Sequence, residues 1–361
     1  MSRDIPSLIP AFHTLRAAGS PAVLCTIVET DGSTYRKAGA RMIIDAEGNY
    51  HGILGGGCFE GDLVERSREV VASGQPVVVE FDMRGDEDLI WGLGLGCNGL
   101  VRLLLQPLDP EHEYQPLACV CENVAALRPT VIATGISGEL LGLSLAVDPL
   151  GQHDLGVAPE THPGLAQLCE DLLAGGSPQG FDAGDAGRMF VDVIPRQHHL
   201  LIIGAGPDAV PMARAAASLD WRVTIADHRE QNPGRGFFPA SVHQVQCAPE
   251  ALASVVDLNS VSAALLMTHN FVADSGFLKS LAETPPFYTG LLGPTARRDA
   301  LLEELSAEQR VALEGRIRGP VGLNIGGDSP ASIALSAIAE IHAILEHADA
   351  ASLDGRNVRA A

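Results

Sequence analysis

The chain has 361 residues, and 46% of them are apolar, which is enough material for two packed domains of ordinary size. It carries 24 basic and 45 acidic side chains, and the resulting net charge of −21 disfavours nucleic acid and anionic membranes as partners. Its apolar stretches are too short to cross a bilayer, and residues 1–6 do not resemble a signal peptide, so we expect a cytoplasmic protein. The seven cysteines indicate free thiols, and their spacing does not predict a metal site.

The first half of the chain alternates strand-like and helix-like patterns. Apolar periodicity and glycine stops predict its elements. In chain order these are a helix over 5–19, a strand over 22–29, a hairpin over 41–45 and 50–54, a helix over 59–73, a strand over 76–81, a glycine-rich loop over 83–99 and a strand over 100–106. Beyond residue 107 the weaker pattern predicts strands over 130–134, 140–147 and 189–194, a helix over 163–174 and an exposed loop over 175–187.

The pattern changes at residues 195–198, which we take as a domain boundary. After it we predict strands over 199–203, 221–226, 261–267 and 287–291, and helices over 210–219, 297–305 and 329–347. Strands that alternate with helices form parallel, doubly wound sheets. The sequence therefore predicts an α/β protein with a mixed N-terminal domain (1–197), a C-terminal Rossmann-like domain with a doubly wound parallel sheet (198–350) and a tail (351–361).

A glycine-rich turn follows the first strand of the second domain. Gly204 and Gly206 would let a pyrophosphate approach the start of the next helix, and Asp227 ends the second strand, where a ribose hydroxyl would bind. NAD(P) or another nucleotide is the predicted ligand of this turn. The alternative is a fold that kept the turn without the cofactor, and Pro207 removes one N–H donor from the phosphate cradle.

A histidine follows a later strand of the same domain. His269 comes after the strand over 261–267, and the carboxyl ends of parallel strands face the ligand crevice of a doubly wound sheet. We therefore expect His269 in the cleft together with Asn270. A surface histidine is the alternative.

Two glycine-rich segments of the first domain each contain a cysteine. Gly55, Gly56 and Gly57 precede a predicted helix and would let the backbone approach a ligand, while Cys58 at the helix start is placed to ionise. Segment 91–99 (WGLGLGCNG) has glycine at alternate positions and contains Cys97. The alternatives are a buried cysteine after a tight turn and a β-bulge packed on a neighbouring sheet.

A third segment of the first domain concentrates positive charge. Arg36, Lys37 and Arg41 lie within six positions of a strongly acidic chain, and such groups suit a phosphate. The alternative is an exposed hairpin whose cations balance nearby acids.

Taken together, these motifs resemble the XdhC/CoxI family, accessory proteins that prepare the molybdenum cofactor for xanthine dehydrogenase and related hydroxylases. The resemblance extends over most of the chain. It is carried by residues 32–42 (GSTYRKAGARM), 55–62 (GGGCFEGD), 91–99, 204–206 (GAG), 288–293 (YTGLLG) and 319–326 (GPVGLNIG). The chain departs from the residues that are common in the family at Pro207, Asn270, Phe271 and Asn324.

The resemblance implies a chaperone rather than a turnover enzyme. Such a protein would carry a molybdopterin-type molybdenum cofactor, assist its sulfuration with a cysteine desulfurase and deliver it to a molybdenum hydroxylase apoenzyme. An NAD(P)-binding Rossmann oxidoreductase and a pure interaction scaffold are the alternatives. We also expect a homodimer, since most soluble oligomers are cyclic dimers.

The resemblance also implies roles for individual residues of the first domain. Arg36, Lys37 and Arg41 would hold the cofactor phosphate. The loop 55–57 would let the pterin approach the backbone, and Glu60 is a further cofactor-binding candidate. Cys58 and Cys97 would contact the molybdenum or its sulfur, or relay sulfur as a persulfide, because thiolates are soft ligands.

Overall fold

The computed structural model describes residues 5–57, 59–84, 99–231, 234 and 236–354. The chain divides into two compact units, Met1–Gln197 and His198–Ala361. The helices of the first unit are α1 (Ile5–Ala18), α2 (Glu60–Ser73), α3 (Leu117–Ala125) and α4 (Pro163–Ala174). Its strands are β1 (Ala22–Gly32), β2 (Arg41–Asp45), β3 (Tyr50–His51), β4 (Val77–Asp82), β5 (Gly99–Leu108), β6 (Thr130–Gly135), β7 (Ser144–Asp148), β8 (Gly151–Leu155), β9 (Gln179–Asp182) and β10 (Arg188–Ile194).

Among the described residues, the strands of the first unit form two five-stranded antiparallel sheets. Their orders are β3-β2-β1-β5-β4 and β8-β7-β6-β10-β9. Helix α2 packs on one face of the first sheet through Leu63 and Val70, and α4 covers the second sheet through Leu165 and Cys169. Helices α1 and α3 share one core with residues of both sheets, so the two sheets belong to one folding unit.

The second unit alternates strands and helices. Its helices are α5 (Ala209–Ser218), α6 (Leu252–Val255), α7 (Phe271–Glu283), α8 (Thr295–Glu303), α9 (Ala307–Leu313) and α10 (Pro330–Leu345). Its strands are β11 (His199–Ile203), β12 (Arg222–Asp227), β13 (His243–Gln246), β14 (Ala263–Leu266), β15 (Tyr288–Leu291) and β16 (Ile317–Arg318). In the described residues they form a parallel sheet in the order β13-β12-β11-β14-β15-β16, the Rossmann order.

The predicted fold class is confirmed by this mixed first unit and the parallel sheet of the second. The predicted stop of α2 at Gly74, which adopts a left-handed conformation, is also confirmed. Ser329 accepts a hydrogen bond from the Ser332 N–H and caps α10, as its sequence indicates.

Several elements differ from the prediction. Helices α3, α6, α7 and α9 and strands β8, β13 and β16 were not predicted, and the loop predicted over 175–187 contains β9. The strand predicted over 140–147 begins only at Ser144. Helix α3 is short and lacks a side-chain N-cap, so its local signal is weak. Strands β9 and β13 are largely exposed, and therefore lack the alternation of apolar and polar residues that marks a half-buried strand.

Candidate functional site

The loop between β1 and β2 is held in a defined shape by its own hydrogen bonds. The Thr34 hydroxyl donates to the carbonyl of Arg36 over 2.8 Å, and the Lys37 ammonium donates to the carbonyl of Gly32 over 3.3 Å. The Gly39 N–H donates to the carbonyl of Ile27 over 2.8 Å. The loop therefore presents Tyr35 to solvent, with Arg36 and Lys37 partly exposed beside it.

The glycine loop before α2 is organised by one carboxylate. The buried Glu60 side chain accepts hydrogen bonds from the N–H groups of Gly55 (2.7 Å), Gly57 (2.9 Å) and Phe59 (3.3 Å). Gly56 and Gly57 are exposed and have φ angles of 64° and 99°, which favour glycine. Glu60, a predicted cofactor-binding residue, thus lies behind the loop and fixes its shape.

Three motifs of the sequence meet at this place. The Tyr35 ring lies against the backbone of Gly56, where a Cβ atom would be 3.3 Å from the ring. A Cβ atom on Gly99 would lie 2.6 Å from the carbonyl oxygen of Asp31 and 2.7 Å from that of Ser33. The loop 33–37 therefore adjoins both the loop 55–57 and the last glycine of segment 91–99.

Acidic side chains near this loop are bound by arginines. Arg84 forms ion pairs of 2.7 Å with Asp31 and with Asp82, and its hydrogen bond lowers the pKa of Asp82 to about 2. Arg102 similarly pairs with Glu29 at 2.8 Å and with Glu80 at 2.6 Å. These pairs offset the local negative charge, so Arg36 and Lys37 are not opposed by unpaired carboxylates at these four positions.

Arg41 is placed differently from its predicted phosphate-binding role. Its guanidinium is buried, lies 2.6 Å from a carboxylate oxygen of Asp192 on β10, and donates to the carbonyl of Gly39 over 2.9 Å. It also lines an internal cavity of about 10 Å³, which has room for one water molecule. The geometry favours a structural role for Arg41, because a phosphate cannot reach a cation enclosed between two sheets.

The two predicted catalytic cysteines, Cys58 and Cys97, lie outside the described residues. The other five are Cys25, Cys119, Cys121, Cys169 and Cys247, and all are free thiols. Burial raises the pKa of Cys119 to about 11 and that of Cys121 and Cys169 to about 12. Burial also raises the pKa of Cys25 and Cys247. These five thiols therefore remain protonated at neutral pH and are poor nucleophiles.

The glycine turn of the second unit is covered by its own chain. Gly204, Ala205 and Gly206 are buried, and the Gly234 N–H donates to the carbonyl of Ala205 over 3.0 Å. A Cβ atom on Gly234 would lie 2.6 Å from the same carbonyl oxygen. The backbone of Gly234 thus packs directly against the glycine turn.

Asp227 at the end of β12 is hydrogen-bonded within the second unit. Its buried carboxylate accepts hydrogen bonds from the Ala205 N–H (2.7 Å) and from the backbone and guanidinium of Arg229. Burial by itself raises the pKa of Asp227, but the hydrogen bonds from Arg229 and Ala205 outweigh it and hold the pKa below its usual range. The carboxylate predicted for a ribose hydroxyl is bound within the protein.

His269 lies at the carboxyl edge of the parallel sheet, after β14. Its exposed ring places Nε2 2.7 Å from an Asp208 carboxylate oxygen, and its φ is 59°. Asn270 caps α7 by accepting from the N–H groups of Val272 and Ala273, a role that Asn and Asp fill equally well. Asparagine at this position therefore has a structural role as the N-cap of α7.

The other departures from the family pattern are at Pro207, Phe271 and Asn324. The Phe271 ring faces the Arg297 guanidinium at 5.8 Å, while Pro207 and Asn324 are exposed.

In the part of the chain that the structure describes, no three His, Cys, Asp or Glu side chains are grouped as metal ligands. None of the described helices combines the length and the apolar character that crossing a bilayer requires.

Two family models match this chain, one within each unit. A family model described as the XdhC and CoxI family matches residues 15–82, and one described as the XdhC Rossmann domain matches residues 200–341. A Bacillus subtilis protein, named as a probable subunit of xanthine dehydrogenase, is 30% identical over 343 residues, which cover 91% of this chain and 96% of that protein.

Two further relatives extend the comparison. The Escherichia coli molybdenum cofactor insertion chaperone PaoD is 25% identical, over 91% of this chain and 85% of that protein. A crystal structure described as a xanthine dehydrogenase from Bacillus halodurans is 27% identical and superposes with a TM-score of 0.77, covering 96% of this chain and 98% of the other. On the family models and the near full-length relatives, the chain belongs to the XdhC and CoxI family.

Proposed function

We propose that this protein binds the molybdenum cofactor and assists its insertion into a hydroxylase of the xanthine dehydrogenase type. The observation that carries the proposal is the contact of loop 33–37 with loop 55–57 and with Gly99 in the first unit. The names of the Bacillus and Escherichia relatives support the same function.

The residues at this place suit a molybdopterin, which has a pterin with a flat pyrimidine ring and a phosphate. Gly56 and Gly57 expose backbone without side chains, so a flat ring can approach closely. Arg36 and Lys37 supply positive charge for the phosphate, and arginine can bind it through two parallel hydrogen bonds. Glu60 keeps the loop in shape before the ligand arrives, which lowers the ordering cost of binding.

The finer parts of the proposal concern sulfur and partners. Cys58 directly follows loop 55–57 and Cys97 lies within segment 91–99. We assign to them contact with the molybdenum or its sulfur, or relay of sulfur as a persulfide from a cysteine desulfurase. The remaining partner is the hydroxylase apoenzyme. We further propose that the protein acts in the cytoplasm as a homodimer. Cys58→Ser is then expected to impair activation of the hydroxylase without unfolding the chaperone.

The NAD(P)-dependent oxidoreductase is the weaker alternative. The strand order and the glycine turn are compatible with it. However, the Gly234 N–H donates to a carbonyl of the turn, and the Arg229 guanidinium donates to the Asp227 carboxylate. Both contacts would have to break before a dinucleotide could bind in the usual manner.

The deciding experiment measures pterin bound to the purified protein. The protein is isolated from molybdate-replete cells and denatured, and the extract is oxidised so that fluorescent molybdopterin derivatives can be quantified per chain. We expect near-stoichiometric pterin. Arg36→Ala and Lys37→Ala should each lower the affinity by about tenfold or more, the usual effect of removing a charged hydrogen bond. Arg68→Ala on the exposed face of α2 is the matched control.

Absence of pterin would contradict the proposal, provided that incubation with released cofactor also fails to load the protein. Equal loss of pterin in Arg68→Ala would show that general positive charge, rather than loop 33–37, governs binding.

A further inference from the structure

Tyr35 is a large aromatic side chain that is mostly exposed to solvent. It is 58% exposed although it lies in a loop that is braced by hydrogen bonds on both sides of it. One edge of the ring lies against Gly56, whose missing side chain leaves space for it. A Cβ atom on Gly56 would lie 3.3 to 3.5 Å from three ring carbons, so any other residue would crowd the ring.

The described residues leave space beyond Gly56. A Cβ atom on Gly57 would have no heavy atom of the described residues within 4 Å, and Gly57 is exposed. A ligand at this place would therefore meet the Tyr35 ring, which rests against Gly56, and the exposed backbone of Gly57. Tyrosine suits such a surface, because it supplies a large flat contact area at a small cost in side-chain entropy.

The cations follow Tyr35 directly in the chain. Arg36 and Lys37 are partly exposed, and the Lys37 ammonium reaches back to the carbonyl of Gly32, at the base of the loop. A ligand with both a planar ring and an anionic group would therefore meet an aromatic surface and positive charge on adjacent residues. Neither a simple phosphate nor an aliphatic anion would use the ring.

We propose that Tyr35 is a binding residue that stacks on the planar ring of a pterin, while Arg36 and Lys37 hold its phosphate. This inference rests on the proposed function, since it assigns the ring-binding surface of that same site. It adds a residue that the sequence motifs alone did not single out, and it separates recognition of the ring from recognition of the anion.

The separation can be measured with two soluble probes, 6-hydroxymethylpterin and its phosphate ester. Each is titrated into the full-length protein, and binding is followed by the intrinsic fluorescence of the pterin. Stacking of one aromatic residue on a heterocycle is worth about tenfold or more in affinity. We expect Tyr35→Ala to weaken both probes by the same factor, Tyr35→Phe to stay within about twofold of the unsubstituted protein and Tyr35→Leu to behave like Tyr35→Ala.

Two controls separate the ring effect from other effects. Tyr50→Ala removes another exposed tyrosine, on strand β3 of the same unit, and should change neither affinity. Lys37→Ala should weaken only the phosphate ester. Circular dichroism and thermal unfolding of each variant verify that it is folded, as expected for a substitution at an exposed side chain.

The outcomes distinguish this inference from the proposed function. If purified protein carries molybdopterin but Tyr35→Ala binds both probes as tightly as the unsubstituted protein, the stacking role is wrong and the carrier function stands. Binding of the ester without measurable binding of the neutral pterin also overturns the stacking role. If the protein binds neither probe and carries no pterin, both proposals fail together.

Discussion

Arg41 and Asp192 form a buried ion pair with 2.6 Å between Nη1 and Oδ2, and this pair joins the strand after the cationic loop to the second sheet of the first unit. The two residues are 151 positions apart in the sequence. The Arg41 guanidinium also holds the carbonyl of Gly39, while the Asp192 carboxylate lies where a Cβ atom on Gly39 would meet it at 3.0 Å. One contact thus fixes the base of the candidate binding loop.

Breaking this pair should destabilise the first unit. Removal of one partner leaves a buried charge uncompensated, so Arg41→Ala and Asp192→Ala should each lower the free energy of unfolding by about 3–5 kcal/mol in guanidinium chloride. The double variant Arg41→Met with Asp192→Leu should recover part of that loss, because no charge remains buried. Arg68→Ala should stay within about 0.5 kcal/mol of the unsubstituted protein. Unchanged stability in Arg41→Ala with lost pterin binding would return Arg41 to the ligand site.

The glycine loop should depend on the Glu60 carboxylate. Glu60→Gln keeps the shape of the side chain but replaces one acceptor oxygen with an amide donor that faces backbone N–H groups. We expect a loss of about 1–3 kcal/mol in the free energy of unfolding and faster hydrogen exchange at Gly55 and Gly57. Glu65→Gln on the exposed face of α2 is the control. Exchange rates equal to those of the unsubstituted protein would mean that the loop does not rely on this carboxylate.

Alkylation of the cysteines should be strongly selective. At pH 7.5 a thiol with a pKa of about 11, such as Cys119, is ionised in fewer than roughly one molecule in a thousand. Iodoacetamide should therefore modify Cys58 and Cys97 first, as read by mass spectrometry of the peptides. Because burial raises the other pKa values, their modification should increase as the pH is raised towards 11. Rapid modification of Cys119 at pH 7.5 would contradict this order.

Titration with NADH should leave the second unit unaffected. Gly234 covers the glycine turn and Arg229 binds Asp227, so we expect no saturable change in the fluorescence of Trp221, a buried residue of that unit, up to millimolar NADH. Arg229→Ala tests the competing possibility, because it frees the carboxylate. Saturable binding to the unsubstituted protein would restore the oxidoreductase hypothesis.

The Rossmann unit was predictable because its signals are local. The turn at Gly204–Gly206 stands directly between a buried strand and a helix, and Ser329 with Pro330 marks the start of α10. Helix α7 was not predicted although Asn270 caps it, because the same asparagine next to His269 also suits a ligand cleft. Elements were thus predicted correctly where a residue had one plausible structural role, and were missed where it had two.

The candidate site was only partly predictable, since its contacts are distant in sequence. The glycines and the cations could be named from the motifs, but the position of Arg41 depends on Asp192 and that of Tyr35 on Gly56. A cation near a glycine looks the same in sequence whether it faces solvent or a buried carboxylate. The sequence signal that could have identified Tyr35 was the position of an aromatic residue directly before Arg36 and Lys37.

The Arg41–Asp192 pair also sets the size of the smallest useful fragment. The family match over residues 15–82 includes Arg41 and the loop but ends well before β10. A fragment cut at that limit would expose the Arg41 guanidinium where Asp192 now lies, and would lose the support beneath Gly39. An isolated ligand-binding module of this protein therefore has to extend at least to Ile194, the end of β10.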